Sequence, residues 1–137
     1  MKTNVEMKLN MNHISIPAVD VMTEANFFKE HFGARIEFVD AATGSALLKH
    51  GANDIVIEAM KETVLWHKDF HFGFELETRR EVETMYERLK IAGVRLETEV
   101  FNRFGRGSRF FARTPGGVQF EIITREDMQS KWDASKK

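Results

Sequence analysis

The sequence predicts an α+β protein built from two βαβββ modules that form a curved mixed sheet around a shared cavity. Three observations predict it. The order strand, helix, three strands reads twice along the chain, once from HISIPAVD at His13 to DIVIEAM and once from HFGFELET at His71 to VQFEIIT. The closing hairpins match without a gap: LLKHGANDIVIE begins at Leu47, FFARTPGGVQFE at Phe110, and the same offset links Glu58 to Glu121. Each copy opens on a strand histidine and closes on a strand glutamate. The modules are expected over 11–60 and 69–124, as one domain over 11–124 with terminal extensions at 1–10 and 125–137.

In the first copy, Ile14 and Ile16 alternate with His13, Ser15 and Pro17, the period-two pattern of a strand with two different faces. Thr23 is expected to cap a helix running to about His31, with Gly33 as its left-handed stop. Phe28 and Phe32 share one side of that helix. ARIEFVD, SALLKH and DIVIEAM read as strands, the last two joined by the turn-forming GAND.

The second copy carries clearer signals. Phe70, Phe72, Phe74 and Leu76 alternate with His71, Gly73 and Glu75. Thr78 and Glu81 form a capping box, Val82, Met85 and Leu89 a buried stripe, and Gly93 ends the helix. VRLETEV, SRFFAR and VQFEIIT complete the module, with TPGG between the last two. The polar end REDMQSKWDASKK is expected to fray after Thr124.

Bulk composition narrows the function. At 137 residues the chain can bury a real core. A net charge of −1 gives no general electrostatic attraction to nucleic acid or an anionic membrane. No apolar run reaches the roughly 18 residues of a membrane span, and MKTNVEMKLNM lacks an export signal's apolar core, so a cytoplasmic location is expected. With no cysteine, any metal must bind through His, Asp or Glu.

One sheet face of each module is covered by its helix and the other is left for a partner. Histidine and glutamate on that second face are costly to bury unless they bind something. The alternation puts His71 and Glu121 there, and the repeat puts His13 and Glu58 in the matching places. Four ligand-type side chains are therefore expected around one divalent ion, Ni, Zn, Co, Mn or Fe. His31, His50 and His67 read as structural. Four ligands leave two open positions, suited to two vicinal substrate oxygens and Lewis-acid chemistry in which Glu121 or Glu58 moves a proton. Three leave room for a bidentate substrate and O₂.

HISIPAVD followed by FFKEHFGA, then HFGFELETRREVETMYERLKIAGV and RFFARTPGGVQFEIIT, resembles the vicinal oxygen chelate superfamily of glyoxalase I, fosfomycin-resistance transferases, bleomycin-resistance proteins and extradiol dioxygenases. The resemblance implies a glyoxalase-like fold, a homodimer and a metal triad of His13, His71 and Glu121, with Glu58 in the place of glyoxalase I's additional carboxylate.

A strict hairpin register through TPGG would bury Arg109 and Arg113 beneath the helix, which unpaired guanidinium groups do not tolerate. A bulge at Gly116–Gly117 shifts the register by one and turns Arg109 and Phe111 toward the cavity. The resemblance implies substrate contacts at these two positions, Arg109 for an anionic group and Phe111 for the body. Arg103, Phe104 and Arg106, in FNRFGRG, form a loop whose glycines permit movement. The expected function is a metal-dependent lyase or isomerase acting on a small oxygenated, anionic metabolite. Alternatives are an extradiol-type dioxygenase, a thiol transferase of the fosfomycin-resistance type and a metal-free sequestering protein.

Overall fold

A computed structural model describes residues 5–136. Of the expected extensions 1–10 and 125–137, residues 1–4 and 137 lie outside the described residues. The chain divides into two compact units, the first ending at Lys61 and the second beginning at Glu62. Each is a four-stranded mixed sheet with one helix, so both βαβββ modules form as expected. Among the described residues, no helix is long and apolar enough to cross a membrane.

The first unit runs β1 (His13–Ala18), α1 (Val21–Phe32), β2 (Arg35–Val39), β3 (Ala46–His50) and β4 (Asn53–Ala59), in sheet order β1-β4-β3-β2. Its alternating apolar residues Ile16, Leu48, Ile55 and Ile57 are buried with Ala25 and Phe28 of α1. The helix starts one turn earlier than expected. Asp20, not Thr23, is the N-cap, and its carboxylate accepts the Thr23 N–H at 3.1 Å. Gly33, at φ 71°, ends it as expected.

The second unit runs β5 (His71–Leu76), α2 (Arg79–Ile91), β6 (Arg95–Leu96), β7 (Arg109–Arg113) and β8 (Gln119–Thr124), in sheet order β5-β8-β7-β6. The capping box at Thr78 and Glu81 is present, and Val82 and Leu89 are fully buried against Phe110, Ala112, Phe120 and Ile122. β6 is much shorter than VRLETEV. The N–H groups of Glu97 and Thr98 both reach the Phe111 carbonyl, so the chain bulges there and pairs again only where Phe101 meets Arg109.

The stretch after Thr124 does not fray. It folds back along the loop 101–108, with Gln129 N–H donating to the Gly105 carbonyl at 2.7 Å and Arg106 bridging Met128. Ser108 is fully buried and donates to the Asp127 carboxylate through both its N–H (2.9 Å) and its hydroxyl.

Candidate functional site

In the second unit, strand pairing brings four chemical groups to one face. Arg113 pairs with Gln119, Phe111 with Glu121 and Arg109 with Ile123, the one-residue shift expected from the cost of burying two guanidinium groups. The shift is taken up in Thr114–Val118, where Gly117 adopts φ 95°. Phe110 and Ala112 consequently point into the core, while Arg109, Phe111 and Arg113 share the other face with Glu121. On the parallel neighbour, His71 lies across from Gln119 and Gly73 across from Glu121. A Cβ on Gly73 would stand 3.5 Å from Glu121 Oε1, in ordinary contact with the carboxylate.

A cavity of about 350 Å³ is lined by His71, Glu121, Arg109, Phe111, Phe101, Arg103, Phe104 and Arg106. Arg109 donates to Glu121 Oε2 at 3.2 Å, and both side chains are only 12% exposed. Its guanidinium is also held by the carbonyls of Gly107 (3.2 Å) and Arg106. Three of its five N–H donors are thus engaged and two remain for a ligand. The His71 ring meets Phe111 edge-on at 5.2 Å, and Phe101 stacks on Phe111 at 6.1 Å.

The two histidines share a local feature. His71 Nδ1 lies 3.0 Å from the Asp69 carbonyl, which can only accept, so Nδ1 carries the proton and the Nε2 lone pair is left for a metal or a proton. His13 Nδ1 lies 2.6 Å from Asn12 Oδ1, so this ring too is oriented through Nδ1 by a neighbouring residue. This is the arrangement in which a ligating histidine is usually held. Within the second unit, the His71 imidazole and the Glu121 carboxylate that line one cavity are donor types that a borderline divalent ion accepts. Among the described residues, no three His, Asp or Glu side chains already form a metal cluster.

Glu58 does not occupy the place the repeat suggests. Glu121 lies opposite the residue two beyond His71, whereas Glu58 lies opposite Pro17, four beyond His13. With the histidines matched, the first-unit counterpart of Glu121 is Val56, opposite Ser15, and Glu58 is one same-face step further on. That step is about 6.6 Å along a strand. The hairpins differ as well: His50 pairs with Asn53 across Gly51–Ala52, while Arg113 pairs with Gln119 across the longer Thr114–Val118, so equal spacing in sequence is unequal register in space. His13 and Glu58 are both exposed on adjacent strands of the first unit.

Sequence reasoning passed over the support behind the cavity. The loop 101–108, read as free to move, is pinned by the C-terminal segment. Asp127 is held below the ordinary carboxylate value of 3.8: burial pushes it up, but hydrogen bonds from the Ser108 hydroxyl and N–H outweigh this. A depressed folded-state value stabilises the fold above the unfolded value and loses that contribution as pH falls through the folded one. Acid below about pH 4 is therefore expected to loosen this segment before the core. Amide exchange at Ser108 and Gln129 should speed up there, and an Asp127→Asn variant should lack the dependence.

A family model for the glyoxalase/bleomycin resistance protein/dioxygenase superfamily matches residues 10–122. No curated protein matches the chain. Among solved structures, a possible glyoxalase from Bacillus cereus is similar at 23% identity and a TM-score of 0.72, over 85% of this chain and 99% of that one. A lactoylglutathione lyase from Agrobacterium tumefaciens is similar at 14% identity and a TM-score of 0.72, over 88% and 97%. A mutant of the fosfomycin resistance protein FosX from Listeria monocytogenes, complexed with Mn(II) and 1S,2S-dihydroxypropylphosphonic acid, is similar at 17% identity and a TM-score of 0.78, over 94% and 99%. At these identities the likeness is one of fold.

Proposed function

The chain belongs to the glyoxalase/bleomycin resistance protein/dioxygenase superfamily, and on that premise we propose that it is a divalent-metal-dependent lyase or isomerase acting on a small, oxygenated, anionic metabolite. The observation that carries this reading is the joint placement of His71, Glu121 and Arg109 in one cavity, with the imidazole Nδ1 already committed to a carbonyl. His13, His71 and Glu121 are proposed as metal ligands, with Glu58 the fourth candidate, and a homodimer belongs to the same proposal.

When bound, the ion would supply Lewis acidity toward two neighbouring substrate oxygens. The protein's own groups do the rest. Arg109, fixed by two carbonyls and Glu121, turns its remaining donors to an anionic substituent. Phe111 and Phe101 pack the substrate's body and exclude water. Glu121, with Oε2 tied to Arg109, has Oε1 left to hold the ion or, released from it, to take and return a proton, and Glu58 is the other candidate for the proton.

A second reading, an extradiol-type dioxygenase, is favoured by one observation: the one-step offset of Glu58, which fits three ligands and three open positions better than four. Metal analysis of protein purified without chelator tests both. One ion per site is expected. Metal-free protein that also binds none on titration would overturn the metal-dependent readings and leave sequestration of a small molecule.

A further inference from the structure

We propose that the cavity of the second unit recognises an anion carrying a flat apolar body, and that Phe104 is the residue that covers that body. The inference rests on the cavity being the substrate site. It requires no metal.

Charge comes first. Arg103, Arg106 and Arg109 all line the cavity, against the single carboxylate of Glu121. Glu121 answers Arg109, so the lining keeps a net positive charge from Arg103, whose guanidinium lies 5.9 Å over Phe101, and from Arg106, which suits an anionic head. Around them stand three phenylalanines, Phe101, Phe104 and Phe111, with Phe101 and Phe111 stacked at 27° between ring planes. Cationic donors beside parallel aromatic faces favour an anion attached to a flat group.

Phe104 is the least expected of these residues. Arg106 N–H donates to the Arg103 carbonyl at 3.3 Å, closing a turn whose central residues, Phe104 and Gly105, have φ 60° and 69°. Two successive left-handed residues make the type of turn that calls for Asn-Gly. Among the described residues Phe104 is the only non-glycine with positive φ, and a bulky ring there is a steric outlier. It is also 74% exposed, so it contributes little to any core.

The strained backbone is held from behind. Trp132 Nε1–H donates to the Phe104 carbonyl at 3.1 Å, Gln129 N–H to that of Gly105, and the Arg106 guanidinium lies 4.8 Å over the Trp132 ring. Neither turn nor core asks for phenylalanine at this position. What remains is the cavity it lines, and strained residues held by their surroundings cluster at ligand clamps.

The test is calorimetric titration with excess chelator, using phenylphosphonate and methylphosphonate, which share a head and differ in the flat body. The wild type is expected to prefer phenylphosphonate roughly tenfold, and Phe104→Asn to lose that preference while binding methylphosphonate as before. The same variant should raise Tm by about 3 °C, since asparagine relieves the turn. Phe104→Leu keeps bulk and strain without a flat face, and should lose most of the preference with little change in Tm. Equal binding of the two probes by the wild type, binding of neither, or full preference in Phe104→Leu would overturn the proposal. So would a lower Tm for Phe104→Asn. Metal content is measured separately, so failure here is distinguishable from failure of the metal-dependent reading.

Discussion

Replacing Glu121 with glutamine is expected to lower affinity for a divalent ion about 100-fold or more while leaving the second unit folded. Loss of a group that merely orients a ligand typically costs 10–100-fold, and loss of a charged ligand should reach at least the upper end of that range. The fold should survive because glutamine keeps a carbonyl acceptor for Arg109 and changes no volume. The charge-assisted part of that contact, between two side chains each 12% exposed, should cost about 1–2 kcal/mol. Metal titration beside urea unfolding reads both numbers. Unchanged metal affinity would remove Glu121 from the ligand set. Glu58→Gln run alongside settles the choice of chemistry. Equal losses in the two variants support four ligands and Lewis-acid lyase or isomerase chemistry. A loss confined to Glu121→Gln leaves three ligands and favours the dioxygenase reading. If Glu121→Gln abolishes metal binding but a small-molecule ligand still binds, sequestration gains.

The strands were legible because their signal is local: a period of two with unlike faces places Ile16, Ile55, Phe120 and Ile122 inside without knowledge of the rest. The direction of Arg109 and Phe111 was legible for an energetic reason, since only the shifted register keeps two guanidinium groups out of the core. Other features resisted. Asp20 and Thr23 are both capping types one turn apart, and the decision between them is the carboxylate's reach to the Thr23 N–H. The gapless match between the two hairpins concealed connections of different length, so Glu58 and Glu121 appeared equivalent and are not. The C-terminal segment gave no signal because it is held by backbone hydrogen bonds, the half-buried carboxylate of Asp127 and the buried one of Asp133 rather than by a periodic apolar stripe.

That segment turns the loop 101–108 from a flexible flap into a fixed wall, and Gly107 is where the consequence is sharpest. A Cβ added there would lie 2.4 Å from the Thr124 carbonyl oxygen, a backbone atom fixed at the end of β8, and φ at this residue is 94°. Gly107→Ala is therefore expected to cost on the order of 3 kcal/mol, combining conformational strain with a clash that no side-chain rotation relieves. Gly51 provides the control, because it has φ 56° but nothing within 4 Å of the added Cβ. Gly51→Ala should cost only the conformational part, about 1 kcal/mol. The difference in urea unfolding between the two variants then isolates the close approach. Gly107 also accepts from Arg109 Nε at 3.2 Å and donates to Asn102 Oδ1 at 3.2 Å, so displacing its backbone should misplace the guanidinium as well as the loop. Gly107→Ala should accordingly lose affinity for both phenylphosphonate and methylphosphonate, unlike Phe104→Asn, which should lose it for the first alone. Equal stability of the two glycine variants would mean that the wall yields at Gly107 to admit the added methyl group.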